Sequence, residues 1–202
     1  ITDKEINQIN LIKKILLKKK INLSLILDKK NGIGLKTHEY DNEKQILEII
    51  FEGKRYKFFI NLIGKLQIKN LLMAILSAKK CGIKFDKIIK ILPKIKPIEG
   101  RLEKIGSIRN KSKVILDYAH TPAALETTLQ NLKDQFPNKR INIVFGCGGD
   151  RDAKKRPIMG KIAKRYSDQI FLTDDNPRYE DPSKIRKEIK KGIKNKFIYE
   201  IP

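Results

Sequence analysis

The stretch NIVFGCGGDRDAKKRPIMG, from Asn142 to Gly160, decides the fold class. It begins with a short apolar run that is typical of a buried strand. A glycine-rich turn follows, and then Arg156-Pro157, where a proline favours the first turn of a helix. A strand, a tight loop and a helix in direct succession predict a β-α unit.

The same pattern occurs on both sides of this stretch. Upstream, KVILDYA (113–119) predicts a strand, and Thr121-Pro122 predicts the capped start of a helix. Downstream, QIFLT (169–173) predicts a third strand, and Asp181-Pro182 predicts the cap of another helix. Strands that alternate with helices predict a parallel sheet. The final residues, FIYEIP, resemble the start of a further strand, so the α/β domain is predicted to be incomplete.

The first hundred residues follow a different pattern. Thr2 and Glu5 form a capping-box pattern before a basic amphipathic helix that runs to about Leu16. This helix could lie on a membrane, but packing on its own domain is favoured because no aromatic residue anchors it. Short β-like runs follow, with His38 predicted as a surface side chain. A helix from about Leu66 is predicted to end with Gly82 at the C′ position.

The composition narrows the possible function classes. The chain has 202 residues, 45 of them basic, and a net charge of +22. Lysine dominates along the whole length and few aromatic residues lie among the basic runs, so a nucleic-acid partner is not expected. Cys81 and Cys147 suit a reducing compartment, and no apolar run is long enough to span a bilayer. Because the chain opens on Ile1 instead of Met, it is predicted to be an internal fragment.

Three polar segments follow the three predicted strands: DYAHTP (117–122), GCGGDRD (146–152) and TDDNPR (173–178). The carboxyl ends of parallel strands meet at one edge of a sheet, where ligands bind. Arginines there can grip a carboxylate or phosphate, and aspartates can accept from an ammonium group. A ligand with both charges, such as an amino acid, is therefore predicted. The charged candidates are Asp150, Arg151, Asp152, Asp174, Asp175 and Arg178, with Asn176 between them.

Other residues of these segments leave alternatives open. The glycines at 146, 148 and 149 are predicted to let backbone approach a ligand closely. Cys147 could be a nucleophile, but a small residue in a tight turn is favoured. His120 could contact a phosphate at a helix N-terminus or could be a neighbour of the helix cap.

In this order and spacing, DYAHTPAALETTL, VFGCGGDRDAKKRPIMG and TDDNPRYEDP closely resemble the C-terminal domain of the Mur ligases, in particular the members that add meso-diaminopimelate. Upstream, GKLQIKNLLMAI and IEGRLE resemble the end of the family's central domain and the hinge after it. The resemblance implies an α/β chain: residues 97–202 form a truncated, Rossmann-like parallel-sheet C-terminal domain, and residues 1–96 form the end of an α/β ATPase central domain.

The resemblance also implies an activity. Such an enzyme is a cytoplasmic, ADP-forming ligase of peptidoglycan synthesis that joins UDP-MurNAc-L-Ala-D-Glu to meso-diaminopimelate. It uses ATP and Mg²⁺, and the amine attacks an acyl phosphate. We expect a monomer without a nucleic-acid or membrane partner.

The resemblance assigns residues to two of the family's sites. The meso-diaminopimelate site would comprise Arg151, Asp175, Asn176, Pro177 and Arg178. The ATP site would comprise Asn70, Arg101, Asp117 and His120. Gln67 departs from the asparagine of many relatives. The chain contains no G-x-x-x-x-G-K-[ST] loop, so the catalytic residues and Mg²⁺ ligands are expected outside it, and the chain alone is expected to be inactive.

Three alternatives remain open at this stage. The first is another Mur-type ligase, similar to a folylpolyglutamate or cyanophycin synthetase, although the complete DNPR motif argues against it. The second is an amino-acid-binding module without catalytic activity. The third is a basic RNA-binding module, which would show steeply salt-dependent binding.

Overall fold

The strands and helices are arranged in two units, residues 1–113 and 114–202. The structure is a computed structural model that describes residues 2–3, 5, 7–19, 24–27, 32–108, 112–194 and 198–202. The predicted domain boundary between residues 96 and 97 concerns family domains, not packing units, and it stays a prediction.

The first unit is built on a five-stranded sheet. Its spatial order follows the sequence: β1 (Thr2–Asp3), β2 (Leu25–Ile26), β3 (Gly32–Asp41), β4 (Lys44–Phe51) and β5 (Lys54–Ile60). The first three strands are parallel, and β3, β4 and β5 form an antiparallel meander. Burial alternates along β4, as expected for a strand with one face on the core.

In the described residues of this unit, three helices accompany the sheet: α1 (Ile9–Lys18), α2 (Lys65–Lys80) and α3 (Phe85–Ile91), with a 3₁₀ turn at Leu92–Lys94. Helix α2 buries five apolar side chains in the core. It ends as predicted, with Gly82 in a left-handed conformation. The Gly82 N–H donates to the Lys79 carbonyl, and the Ile83 N–H donates to the Ala78 carbonyl.

The predicted capping box at the chain start is wrong. Thr2 lies in β1, which pairs with β2, and Glu5 forms an ion pair with Lys69 at 2.7 Å. Helix α1 begins only at Ile9, after Gln8, which makes no side-chain cap bond. The helix buries none of its side chains. Strand pairing at residue 2 therefore prevails over the local capping pattern.

His38, predicted as a surface side chain and not a ligand, is half-buried. Its Nε2 lies 2.9 Å from Oε1 of Gln45, which is fully buried. The Gln45 amide donates in turn to the carbonyls of Leu62 (2.6 Å) and Gly64 (3.3 Å), just before α2. Burial lowers the pKa of His38. The pair thus serves packing within the first unit.

The second unit contains a parallel sheet in the order β10 (Ile198–Ile201), β9 (Gln169–Thr173), β8 (Asn142–Phe145). Its helices are α4 (Pro122–Gln135), α5 (Lys155–Tyr166) and α6 (Pro182–Lys190). Apolar residues from all three helices share one core with Ile143, Ile170 and Leu172. The predicted α/β class with a parallel sheet is confirmed, as is the predicted last strand.

The helix caps predicted in this unit are present. Thr121 Oγ1 accepts from the Ala124 N–H at 3.3 Å, and Asp181 Oδ1 accepts from the Ser183 N–H at 2.8 Å. Each cap stands directly before a proline at the first helical position. Proline loses nothing there, because its missing N–H would have had no partner within the helix.

The strand predicted at 113–119 differs from expectation. It is formed as β7 (Ser112–Leu116), but it pairs with β6 (Glu103–Ile108) in a two-stranded sheet instead of joining the parallel one. No residue of β7 is fully buried, and Leu116 is 46% exposed. Strands of parallel sheets are normally covered on both faces. No helix in the described ranges is long and apolar enough to cross a membrane.

Candidate functional site

Two loops lie side by side at the carboxyl ends of β8 and β9. We name them the glycine loop (146–152) and the DNPR loop (174–180). Their strands are hydrogen-bonded neighbours, with Phe145 opposite Leu172. The predicted convergence of these two segments at one sheet edge is therefore present.

The glycines of the glycine loop leave room for the backbone that leads into and forms the DNPR loop. A β-carbon on Gly146 would lie 2.5 Å from the Thr173 carbonyl oxygen, and one on Gly149 would lie 1.8 Å from that of Pro177. Real β-carbons do not approach other atoms so closely. The sequence predicted that these glycines let backbone approach a ligand closely; at Gly146 and Gly149 the space is instead occupied by the backbone of Thr173 and Pro177.

Hydrogen bonds join the two loops along their length. The Gly149 N–H donates to the Asn176 carbonyl at 2.8 Å, and Arg178 Nη1 donates to the Gly149 carbonyl at 2.7 Å. The Tyr179 N–H donates to Asp150 Oδ2 at 3.2 Å. The loops therefore form one interlocked structure.

Two non-glycine residues of these loops have unfavourable backbone conformations. Asp150 has φ +49° and Arg178 has φ +51°, in the left-handed region that non-glycine residues rarely adopt. Both take part in the bonds between the loops. Such strain persists only where the surroundings hold the backbone in place, and it is concentrated at functional sites.

Opposite charges flank Gly148. Arg178 Nη1 and Asp175 Oδ2 lie 2.9 and 3.7 Å from the point where a Gly148 β-carbon would be. The side chains of Asp175 and Arg151 form no hydrogen bond or ion pair with another described residue, and both residues are exposed. Their charges are available to a ligand.

The other predicted acceptors have partners within the protein. Asp150 accepts from the Tyr179 N–H, and Asp152 accepts from the Lys154 N–H at 2.9 Å. Asp174 forms an ion pair with Arg186. Of the four aspartates predicted to face a ligand, these three hold loops and helices in place through these contacts.

The remaining residues of the DNPR motif shape the turn. Asn176 Oδ1 accepts from the Arg178 N–H at 3.3 Å, and the Pro177 carbonyl accepts from the Glu180 N–H at 3.0 Å. Asn176 is exposed and Pro177 is half-buried. Four predicted residues, Asp175 to Arg178, thus lie together against Gly148 and Gly149.

Cys147 is buried, and its Sγ lies 3.7 Å from Met159 Sδ. Burial raises the pKa of its thiol, which disfavours the reactive thiolate. The favoured interpretation of Cys147 as a small residue in a tight turn agrees with this environment.

Arg156 is a residue that the sequence analysis missed. It lies in the first turn of α5 and is only 1% exposed. Its guanidinium forms a two-point contact with Glu180, at 2.8 Å for each pair, and bonds Glu188 at 2.8 Å. The bonds from Arg156, and then the bond from the Asp150 N–H, lower the pKa of Glu180 to about 2. An arginine among lysines just before a proline resembles a solvated helix start, so the sequence gives little signal of this role.

The DYAHTP segment (117–122) lies near α5, the helix that follows the glycine loop. Asp117 Oδ1 accepts from the Ala119 N–H at 3.0 Å and from the Thr128 hydroxyl at 2.9 Å. His120 is exposed, and its carbonyl accepts from Lys155 Nζ at 2.8 Å. The carboxylate of Asp117 therefore holds its own loop against α4.

The other two residues assigned to ATP lie in the first unit. Asn70 Nδ2 donates to Gln67 Oε1 at 3.4 Å, and Gln67 Nε2 donates to the Arg101 carbonyl at 3.0 Å. Gln67 thus connects the two predicted residues. Across the described ranges, no group of three His, Cys, Asp or Glu side chains could hold a metal ion.

Comparison with known proteins places this site in a family context. The family model described as "Mur ligase, glutamate ligase domain" matches residues 100–201. The UDP-N-acetylmuramoyl-L-alanyl-D-glutamate–2,6-diaminopimelate ligase of Rickettsia felis is 42% identical over 178 residues, which cover 88% of this chain and 33% of that protein. The ligase of the same name from Rickettsia bellii is 41% identical over 194 residues, covering 96% and 40%.

Solved structures of Mur ligases and related enzymes also match this chain. A UDP-N-acetylmuramoyl-L-alanyl-D-glutamate–2,6-diaminopimelate ligase matches with a TM-score of 0.65 and 28% identity, over 98% of this chain and 42% of that one. Mycobacterium tuberculosis folylpolyglutamate synthase, solved with ADP and AMPPCP, has a TM-score of 0.72 at 18% identity, over 95% and 42%. The latter likeness concerns the fold alone. The chain spans about a third of the length of the R. felis relative.

Proposed function

The chain belongs to the Mur ligase family, and we propose that it carries the amino-acid site of a ligase that adds meso-diaminopimelate to UDP-MurNAc-L-Ala-D-Glu. Residues 97–202 would form the C-terminal domain and residues 1–96 the end of the central domain. The enzyme would serve peptidoglycan synthesis as a cytoplasmic monomer. The Rickettsia relatives, named for this reaction, support the proposal.

The observation that carries the proposal is the pair of opposite charges beside Gly148. Arg178 places a guanidinium there, and Asp175 places a carboxylate. Meso-diaminopimelate has an ammonium and a carboxylate at each end, so one end can pair with both groups. The exposed guanidinium of Arg151 is a second carboxylate partner at the same edge.

Each of these residues then has a task in binding. Arg178 holds a carboxylate of meso-diaminopimelate, and Asp175 accepts from its ammonium group. Asn176 and Pro177 set the turn that carries both side chains. Arg151 is assigned to a carboxylate as well. Binding by charged, directional contacts orients the amine and excludes ligands that lack the second carboxylate, such as lysine.

ATP, when bound, supplies the phosphoryl group that activates the carboxylate of the acceptor peptide. The chain offers only part of a nucleotide site: Asn70, Arg101, Asp117 and His120 have the donors and acceptors for it, whereas the sequence lacks a phosphate loop. The described residues do not fit Mg²⁺, since they include no suitable ligand cluster. We assign those ligands to other parts of the enzyme.

Two measurements test the proposal. Calorimetric titration of the 202-residue chain should detect meso-diaminopimelate binding and weaker or no binding of L-lysine. In a second arm, the matched 178 residues of this chain replace the corresponding segment of the R. felis ligase, and tripeptide product is measured with either amino acid. Equal use of lysine by a folded, active chimera would contradict the specificity.

A further inference from the structure

Arg156 occupies a position where a positive charge is costly. It is only 1% exposed, and it stands in the first turn of α5, where the helix dipole is positive. A buried charge persists only with close partners. Arg156 has two carboxylates, Glu180 and Glu188, and it also donates to the Gly148 carbonyl at 3.2 Å. We name Arg156, Glu180 and Glu188 the Arg156 cluster.

Glu180 is the member of this cluster that acts on both loops. Its Oε1 accepts from Arg156 and also from the Asp150 N–H, at 2.6 Å. Glu180 itself is the last residue of the DNPR loop. One carboxylate therefore joins the first turn of α5, the glycine loop and the DNPR loop.

The bonds of Glu180 hold a strained conformation. Asp150 adopts φ +49°, and its N–H is fixed by Glu180 while its carboxylate receives the Tyr179 N–H. Arg178, at φ +51°, is bonded to the neighbouring Gly149 carbonyl. Without the Glu180 contact, the steric cost of the left-handed backbone would favour relaxation of Asp150. That relaxation would also move the carbonyl to which Arg178 is bonded.

We propose that Glu180, held by Arg156, is a positioning residue that keeps the two loops in the geometry needed for amino-acid binding. The inference rests on the proposed function for its ligand, but not for the contact between the loops. In this role Glu180 need not touch the amino acid. It acts by preorganising Arg178 and Asp175, so that binding does not have to order the loops.

Glu188 provides a matched control. It bonds the same guanidinium at the same 2.8 Å, and its side chain is 22% exposed, against 25% for Glu180. It lies on α6 and forms no hydrogen bond or ion pair with any described residue of either loop. Glu188→Gln therefore removes one of the two negative charges that pair with the buried Arg156. It keeps the Glu180 carboxylate that holds Asp150.

The experiment compares the 202-residue chain with its Glu180→Gln and Glu188→Gln variants. Amide hydrogen exchange is followed at Asp150 and Gly149, with α4 amides as a reference for global opening, and meso-diaminopimelate binding is titrated. We expect Glu180→Gln to speed exchange at the two loop amides by about tenfold or more relative to α4. In the same variant, the dissociation constant for meso-diaminopimelate should rise about tenfold or more, because the preorganisation of the loops is lost. Glu188→Gln should leave the exchange rates of the two loop amides and the dissociation constant within about twofold of the wild type.

The outcomes separate the positioning role of Glu180 from the proposed amino-acid ligand. Equal effects of the two variants, or unchanged exchange in Glu180→Gln, would overturn the positioning role. If the wild type binds no meso-diaminopimelate but Glu180→Gln still releases the loop amides, the positioning role stands and the proposed ligand is wrong. If Glu180→Gln does not fold, Glu180→Asp is measured in the same way; it keeps the charge but withdraws the oxygens by one methylene.

Discussion

The carbonyl oxygen of Pro177 lies 1.8 Å from the position that a β-carbon on Gly149 would occupy. Neither atom belongs to a flexible side chain that could turn aside. The Gly149 N–H and carbonyl are also bonded to Asn176 and Arg178. The two loops can therefore interlock only if residue 149 has no side chain.

Gly149→Ala should consequently be among the most damaging single substitutions in the second unit. The added methyl forces the loops apart and breaks both bonds of residue 149, at an expected cost of about 2–4 kcal/mol of unfolding free energy. Urea unfolding followed by circular dichroism measures it. Gly106→Ala is the control, because a β-carbon there meets no atom within 4 Å. A loss from Gly149→Ala no larger than that from the control would show that the loops separate without cost.

Acid should weaken the Arg156 cluster. Bonds from Arg156, and then from the Asp150 N–H, lower the pKa of Glu180 from 4.5 to about 2. A carboxyl whose pKa is depressed by folding contributes stability that is fully present above about pH 4.5 and is lost as the pH falls towards 2. The stability difference between the wild type and Glu180→Gln should therefore shrink over that window.

The measurement is urea unfolding of both proteins between pH 6 and pH 2. Asp181, whose pKa is lowered mainly by the Ser183 hydroxyl, titrates in both proteins and cancels from the difference. A difference that stays constant across the window would mean that the charge of Glu180 contributes nothing to stability.

The repeated β-α units could be predicted because each is specified locally. Thr121 and Asp181 cap their helices through bonds that span two or three residues, and Gly82 ends α2 by its own conformational freedom. The family resemblance rests on the same segments and is confirmed. The capping box at Thr2 failed because pairing with β2, more than twenty residues away, prevailed.

The candidate site was predicted as a set of residues but not as an arrangement. The glycine loop signalled a close approach, but its sequence does not say whether a ligand or another loop approaches. Likewise, nothing local distinguishes Asp174, which pairs with Arg186, from Asp175, which does not. Arg156 was missed because its burial depends on Glu180 and Glu188, which are distant in sequence.

The 202-residue chain alone should release no ADP from ATP, with or without UDP-MurNAc-L-Ala-D-Glu. The reason is that its sequence lacks the glycine-rich loop with its lysine, which surrounds the β- and γ-phosphates in P-loop enzymes. A coupled ADP assay with the R. felis relative as the positive control measures this. Stoichiometric, acceptor-dependent ADP release from the chain would contradict the assignment of the phosphate site to other parts of the enzyme.

Arg178→Ala should selectively weaken the use of meso-diaminopimelate. The guanidinium of Arg178 lies beside Asp175 over Gly148, and its Nη1 also holds the Gly149 carbonyl. Removing it leaves a substrate carboxylate without its partner, a loss of roughly 2–5 kcal/mol, or about 30- to 4,000-fold. In the chimeric ligase, the KM for meso-diaminopimelate should rise by that order, and the KM for ATP should hardly change.

Arg151→Ala should act in the same direction, since its exposed guanidinium has no partner among the described residues. Arg165→Ala is the matched control: this arginine is also exposed, at 73%, but it lies at the end of α5 and pairs with Glu126. It should leave both KM values within about twofold of the wild type.

If Arg178→Ala instead raised the KM for ATP and for meso-diaminopimelate equally, the guanidinium would be acting through the fold of the loops and not through the amino acid. The charges beside Gly148 would then not be the amino-acid site.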